Sequence, residues 1–151
     1  METTKQVSVF LDNKPGRLAN VLMALAREKV NVVALTIMDS HEHSVLRLVT
    51  NDVPETLKVL NGLSISHAET DVLMVELRNQ PGALAHVCEQ LASGHVSIDY
   101  AYCSSGGRNG RVFGIFKVSN TEKAMRLLSG PSANNNRRLE TRLPRNLRTK
   151  V

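Results

Sequence analysis

Val9-Phe-Leu-Asp-Asn-Lys-Pro-Gly-Arg-Leu-Ala19 and Val75-Glu-Leu-Arg-Asn-Gln-Pro-Gly-Ala-Leu-Ala85 carry one pattern twice, and that repetition decides the fold. At an offset of 66 the match continues to Val32 and Ile98, with 11 identities in 24 positions, far more than unrelated segments share. A period of this length marks a duplicated structural unit and governs how every other segment is read.

Each copy opens with alternation. Val7, Val9 and Leu11 share one face, as do Leu73, Val75 and Leu77, which predicts a half-buried strand. After the Asn-x-Pro-Gly turn, Leu18, Val21, Leu22, Leu25 and Ala26 recur at helical spacing, matched by Leu84, Val87, Cys88, Leu91 and Ala92. β-rich runs follow at 30–38 and 44–50, and again at 96–103 and 112–119, which predicts a hairpin in each copy. The connections are 39–43 and the glycine-rich 104–110. A second helix is expected to start near Asp52 and Thr121 and to stop at Gly62 and Gly130, where the offset has become 68. Residues 63–68 are predicted as the fourth strand of copy one, leading directly into the first strand of copy two near Asp71. In copy two only 138–143 alternates, weakly, as a candidate edge strand. The fold class is therefore α+β: two ferredoxin-like βαββαβ units, residues 5–68 and 69–143, packed as a pseudo-twofold pair, with a basic flexible tail at 144–151. A single unit of this size buries only about 60% of its unfolded surface, so pairing is physically favoured.

Composition limits the function classes. With 42% hydrophobic and 22% charged residues, the chain of 151 has the makings of a packed core. The net charge of +5 invites a nucleic-acid reading, but residues 1–130 hold 13 Lys/Arg against 13 Asp/Glu, and the whole excess lies beyond them. RNA-binding domains of similar outline need aromatic platforms, and only 3% of this chain is aromatic. Phe113 and Phe116 fall on opposite faces of one strand, whereas Tyr100 and Tyr102 share one. No nucleic-acid partner is expected. Cys88 and Cys103 are read as reduced, buried thiols. Neither a signal-peptide pattern nor an apolar run of membrane-spanning length is present, so no membrane association and a cytoplasmic location are expected.

The order of strand, Asn-x-Pro-Gly turn, amphipathic helix and then Val30-Asn-Val32 or Val96-Ser-Ile98 resembles the ACT domain family, and the duplication resembles its tandem members. The resemblance covers residues 5 to about 130. It implies an amino-acid-binding regulatory protein, a homo-oligomer (expected dimer) and a regulated enzyme partner that the sequence does not name.

Physical chemistry makes the family's ligand site intelligible here. Pro15 and Pro81 fix φ as the chain enters a helix, while Gly16 and Gly82 leave no Cβ in the way of an approaching molecule. The unpaired N–H groups of the first turn, with the helix dipole, suit a carboxylate. Asn13 and Asn79 offer donors and acceptors beside it. Lys14 and Gln80 complete the two turns, and the resemblance adds Asn31, which matches the asparagine at the start of the family's second strand that contacts ligand across an interface. Copy two has Ser97 in its place. The expected ligand site is thus Asn13, Lys14, Pro15, Gly16 and Asn31, with Asn79, Gln80, Pro81, Gly82 and Ser97 as an altered second site.

Catalytic chemistry is not legible. His67, His86 and His95 are scattered over different elements, and no nucleophile, base and orienting group fall at a recognisable spacing. His41-Glu42-His43 lacks a third fixed ligand for a metal. Residues 105–110 join two strands and so do not read as a phosphate loop. No enzyme activity, metal or cofactor is expected. The rival reading is a ligand-free assembly module, whose turns bind nothing.

Overall fold

The computed structural model describes residues 1–39, 43–104 and 111–130. Their elements run β1 (Glu2–Asp12), α1 (Arg17–Arg27), β2 (Val32–Asp39), β3 (His43–Thr50), α2 (Val53–Gly62), β4 (His67–Arg78), α3 (Ala83–Ser93), β5 (Ile98–Cys103), β6 (Arg111–Val118) and α4 (Thr121–Ser129). The first five map onto the last five. All strands pair antiparallel in one sheet ordered β2-β3-β1-β4-β6-β5.

The middle of the sheet is the pairing of β1 with β4, from Glu2 opposite Met74 to Val9 opposite His67. Lys5 stands opposite Asp71, its own counterpart at the repeat offset of 66, so the pseudo-twofold axis passes between them. Their side chains meet at 2.8 Å, Nζ to Oδ1. Each unit is ferredoxin-like, with its first strand lying between its third and its fourth-strand position. Beside β1 that position is held by the start of β4, and beside β4 by the start of β1. The strands expected at 63–68 and from Asp71 are one strand, His67–Arg78. Ala68-Glu-Thr-Asp71 contains no Gly or Pro, and pairing with β1 runs through it without a break. The boundary drawn at 68/69 falls inside this strand. Residues 138–143 and the tail lie outside the described residues.

Alternation along the strands sorts the side chains. Val7, Val9, Leu46 and Leu48 pack with Val21 and Leu25 beneath the helices of unit one; Leu73, Val75 and Phe116 pack with Val87 and Leu91 in unit two. A third cluster, Ala34, Val49, Val72 and Ile115, lies on the opposite face and joins the units. The edge strands β2 and β5 approach within 8 Å, Cα to Cα. The sheet is therefore rolled, with the helices outside and a packed hollow within. Matching bulges at Val32/Ala34 and Ile98/Tyr100 bend the two edges.

The helix ends are also duplicated. Asp52 caps α2 by accepting from the Glu55 N–H at 2.9 Å, and Asn120 caps α4 through the Lys123 N–H at 2.9 Å. The cap of α4 is thus Asn120 and not Thr121, because the side chain one residue earlier reaches the third amide of the helix. Lys29, Ser64 and His95 end α1, α2 and α3 at φ of 59, 55 and 54°. The next amides bond back to Leu25, Leu60 and Leu91. Gly62 is the last helical residue and Gly130 has φ −59°, so neither supplies the left-handed stop expected of it. Both cysteines are free, but Cys88 is only half-buried and Cys103 is exposed, since it takes an outward position on edge strand β5.

Candidate functional site

The two Asn-x-Pro-Gly turns have one geometry. Gly16 and Gly82 lie at φ 85° and 84°, the left-handed region that glycine enters without a Cβ clash. Nothing stands within 4 Å of where a Cβ on Gly16 would sit, so the turn is open to approach. In the first turn the Lys14 N–H donates to the Asp12 carbonyl (2.8 Å) and the Arg17 N–H to that of Lys14 (3.3 Å). In the second, Gln80 and Ala83 repeat these bonds to Arg78 and Gln80 at 2.9 and 3.3 Å. Asn13, Lys14, Pro15 and Gly16 are all exposed; in the second turn Asn79, Gln80 and Pro81 are exposed and Gly82 is partly covered.

The helices themselves differ in a telling way. α2 and α4 each begin with a side-chain cap and an acidic residue in the first turn, Glu55 or Glu122. α1 and α3, which begin at the Pro-Gly turns, have neither. Their positive dipole ends are thus left without the neutralisation given to the other two.

Asn31 and Ser97 are held by matching devices. The Asn31 N–H donates to Asn51 Oδ1 (2.8 Å) and its carbonyl accepts from the Asn51 N–H (3.1 Å). The Ser97 N–H donates to Ser119 Oγ (3.1 Å) and its carbonyl accepts from the Ser119 N–H (3.0 Å). Both residues are exposed. Sequence reasoning missed Asn51 and Ser119; their signal was the common offset of 68 between two short polar residues that each close a strand.

Within one unit the structure keeps turn and Asn31 apart. Asp12 pairs with His43 and Val32 with Thr50, seven residues along β3. At ~3.3 Å per residue that is roughly 23 Å. The same seven residues of β6 separate Arg78 opposite Arg111 from Ile98 opposite Val118. One small ligand therefore does not span both groups of a single unit.

Charge distinguishes the turns. The first is flanked by Asp12, whose carboxylate meets Arg17 at 3.1 Å. The second follows Arg78, which faces Arg111 across the ladder, with Arg111 bound to Glu76 at 2.7 Å. Among the described residues no group of three or more His, Cys, Asp or Glu is placed to hold a metal ion, and no helix is long and apolar enough to cross a membrane. His41 and Glu42 lie outside the described residues.

Comparison with known proteins agrees with this architecture. The family model of the ACT domain pair matches residues 2–131. None of the curated proteins matches significantly. Among solved structures, protein BT0572 from Bacteroides thetaiotaomicron is 34% identical, covering 83% of this chain and 86% of its own, with a TM-score of 0.76. The regulatory subunit of aspartate kinase from Thermus thermophilus is 17% identical over 85% of this chain and 95% of its own, at a TM-score of 0.61. That from Thermus flavus is 18% identical over 84% and 93%, at 0.56. A duplicated unit, its two Pro-Gly turns and a family match across nearly the whole described chain lead to one assignment: this protein belongs to the ACT domain pair family.

Proposed function

We propose that this chain is a non-catalytic regulatory or sensor protein that binds an amino acid or similar small carboxylate at its Pro-Gly turns. The observation that carries the reading is the selective bareness of α1 and α3, whose first turns lack the caps and acids found on α2 and α4. A carboxylate would supply what those helix ends lack, and Asn13 or Asn79 would meet an ammonium group. Because turn and Asn31 are far apart in one unit, Asn31 or Ser97 would complete the site from across a boundary, most simply in a homodimer. The regulated target is taken to be a separate enzyme, by analogy with neighbours named as regulatory subunits.

The test is a thermal-shift screen of the twenty amino acids and common carboxylate metabolites, followed by calorimetry. A ligand at 100 times its dissociation constant stabilises the fold by about 2.7 kcal/mol. Asn13→Ala and Asn31→Ala should each weaken a charged ligand by about 1.5–3 kcal/mol, or ten- to a hundredfold. A confirmed ligand that binds both variants normally rules out this site. If no compound shifts the melting temperature, the assembly-module reading takes over. One observation favours that second reading: unit one exposes Phe10, Leu35, Ile37 and Met38, where unit two has Glu76, Ala101, Cys103 and Ser104.

A further inference from the structure

The hollow inside the rolled sheet contains a polar contact that the turns do not use. Gln6 on β1 is 0% exposed. Its amide nitrogen donates to Tyr100 Oη at 2.9 Å and to Ser8 Oγ at 3.2 Å, while Tyr102 Oη donates to its Oε1 at 2.9 Å. β4 and β6 separate β1 from β5 in the sheet, so these bonds run across the hollow. The Arg47 guanidinium on β3 lies 4.0 Å from the centre of the Tyr100 ring, and its Nη1 also meets Met38 Sδ at 2.7 Å. Unit one thus grips both tyrosines of β5.

The pseudo-twofold turns this contact into a different one. Gln6 corresponds to Val72, Tyr100 to Ala34, Tyr102 to Thr36 and Arg47 to Ile115. Val72, Ala34 and Ile115 belong to the single buried apolar cluster that joins the units. One half of the interior is therefore mainly apolar and its symmetry mate mainly polar, with the Tyr102 ring of the polar half reaching the apolar cluster. Among the described residues no ladder of backbone bonds closes the seam between β2 and β5. Apolar packing has no substitute in water, whereas each amide and hydroxyl of the polar half finds equivalent partners there. The two halves differ in how readily they part.

We propose that Gln6, Tyr100, Tyr102 and Arg47 form a releasable latch on the seam between the units, with the Val72–Ala34–Ile115 packing as its pivot. Release frees β5 from unit one and leaves the central β1–β4 pairing in place. The device sets how the two units, and hence their two turns, are held relative to each other.

The chain reports on this latch by itself. Tyr100 and Tyr102 are its only tyrosines and it has no tryptophan, so tyrosine emission comes from the latch alone. Hydrogen exchange and acrylamide quenching would be measured on the full chain, on Gln6→Ala and on Tyr102→Phe. Gln6→Ala should raise amide exchange in residues 98–103 on the order of tenfold relative to the β1–β4 pair, and make the tyrosines more quenchable. Tyr102→Phe keeps the ring and removes one bond, so it should shift β5 exchange the same way by less. Equal acceleration in β1, β4 and β5 would mean simple loss of stability and overturn the latch, as would unchanged β5 exchange in either variant. Should Gln6→Ala fail to fold, Tyr102→Phe alone decides by the same criterion.

Discussion

On β3 of unit one, Leu46 and Leu48 point toward the helices; at the matching places on β6 stand Gly114 and Phe116. The Phe116 ring fills the space that Gly114 leaves, since a Cβ there would lie 2.7 Å from Phe116 Cε2 and 3.1 Å from Leu77 Cδ1. The helix pairs show the same exchange. Glu28 and Val59 in unit one become Gly94 and Leu127 in unit two, and a Cβ on Gly94 would collide with Leu127 Cδ1. The two units thus fill similar volumes with different residues beneath the helices, while their backbones agree at the Pro-Gly turns, the bulges and the left-handed helix ends. Inside the rolled sheet the duplication breaks down in side-chain chemistry at several matched positions. There one unit contributes Gln6 and Arg47 and the other Val72 and Ile115. Backbone geometry is the common property of the pair, and side-chain chemistry in the hollow is its point of difference.

The largest effect expected from breaking this comparison lies at Phe116. Phe116→Ala should cost about 3–5 kcal/mol in chemical denaturation, because nothing beside Gly114 can close the gap. Gly114→Leu combined with Phe116→Leu copies unit one and should recover most of that loss. A double variant no more stable than Phe116→Ala would show that the two solutions are not interchangeable. At the turns, Gly16→Ala and Gly82→Ala should each cost about 1–2 kcal/mol from left-handed strain. Since φ is 85° and 84°, the two losses should be equal within error, and a clear inequality would separate the turns.

Smaller effects sharpen the likeness. Lys29→Gly and His95→Gly relieve strain at matching helix ends, and each should gain about 0.5–1 kcal/mol in thermal melting after the entropy given to the unfolded chain. Tyr102 tests the asymmetric interior by pH. Burial, helped by Tyr100 and opposed by Arg47, raises its phenol well above the ordinary 10.0. The folded chain therefore keeps a proton that the unfolded chain releases above pH 10.0, so stability should fall as the pH rises past that point. Tyr102→Phe should flatten this decline in denaturant unfolding; an unchanged slope would place its cause elsewhere.

Much of the fold was legible because the helix-side strands alternate cleanly. Val7, Val9 and Leu11 and their counterparts are buried as their period requires. The Pro-Gly turns were legible because only glycine enters the left-handed region at low cost. The merging of two expected strands into β4 was not, since Leu63 to Asp71 reads equally well as an ending and a beginning; pairing with β1 decides it. Gln6 was invisible for another reason. A polar residue on an alternating strand reads as solvent-facing, and nothing local reveals that β5 returns across the hollow to bury it. Tyr100 and Tyr102 do share a face, but their partner lies 94 and 96 residues away in the chain. For the candidate site, the turns were found by pattern, whereas the roughly 23 Å between turn and Asn31 follows only from strand register.

The ion pair on the axis has a consequence for assembly. Two identical units meeting in this way would set Lys against Lys, or Asp against Asp, directly opposite each other on neighbouring strands, an arrangement that repels. Lys5 and Asp71 make the halves mutually selective: unit one prefers unit two to another copy of itself. Two copies joined in one chain can carry opposite charges at the matched positions, whereas two identical units cannot. Any larger oligomer of this chain must then be built on some other surface, leaving the central strand pairing sealed within each molecule.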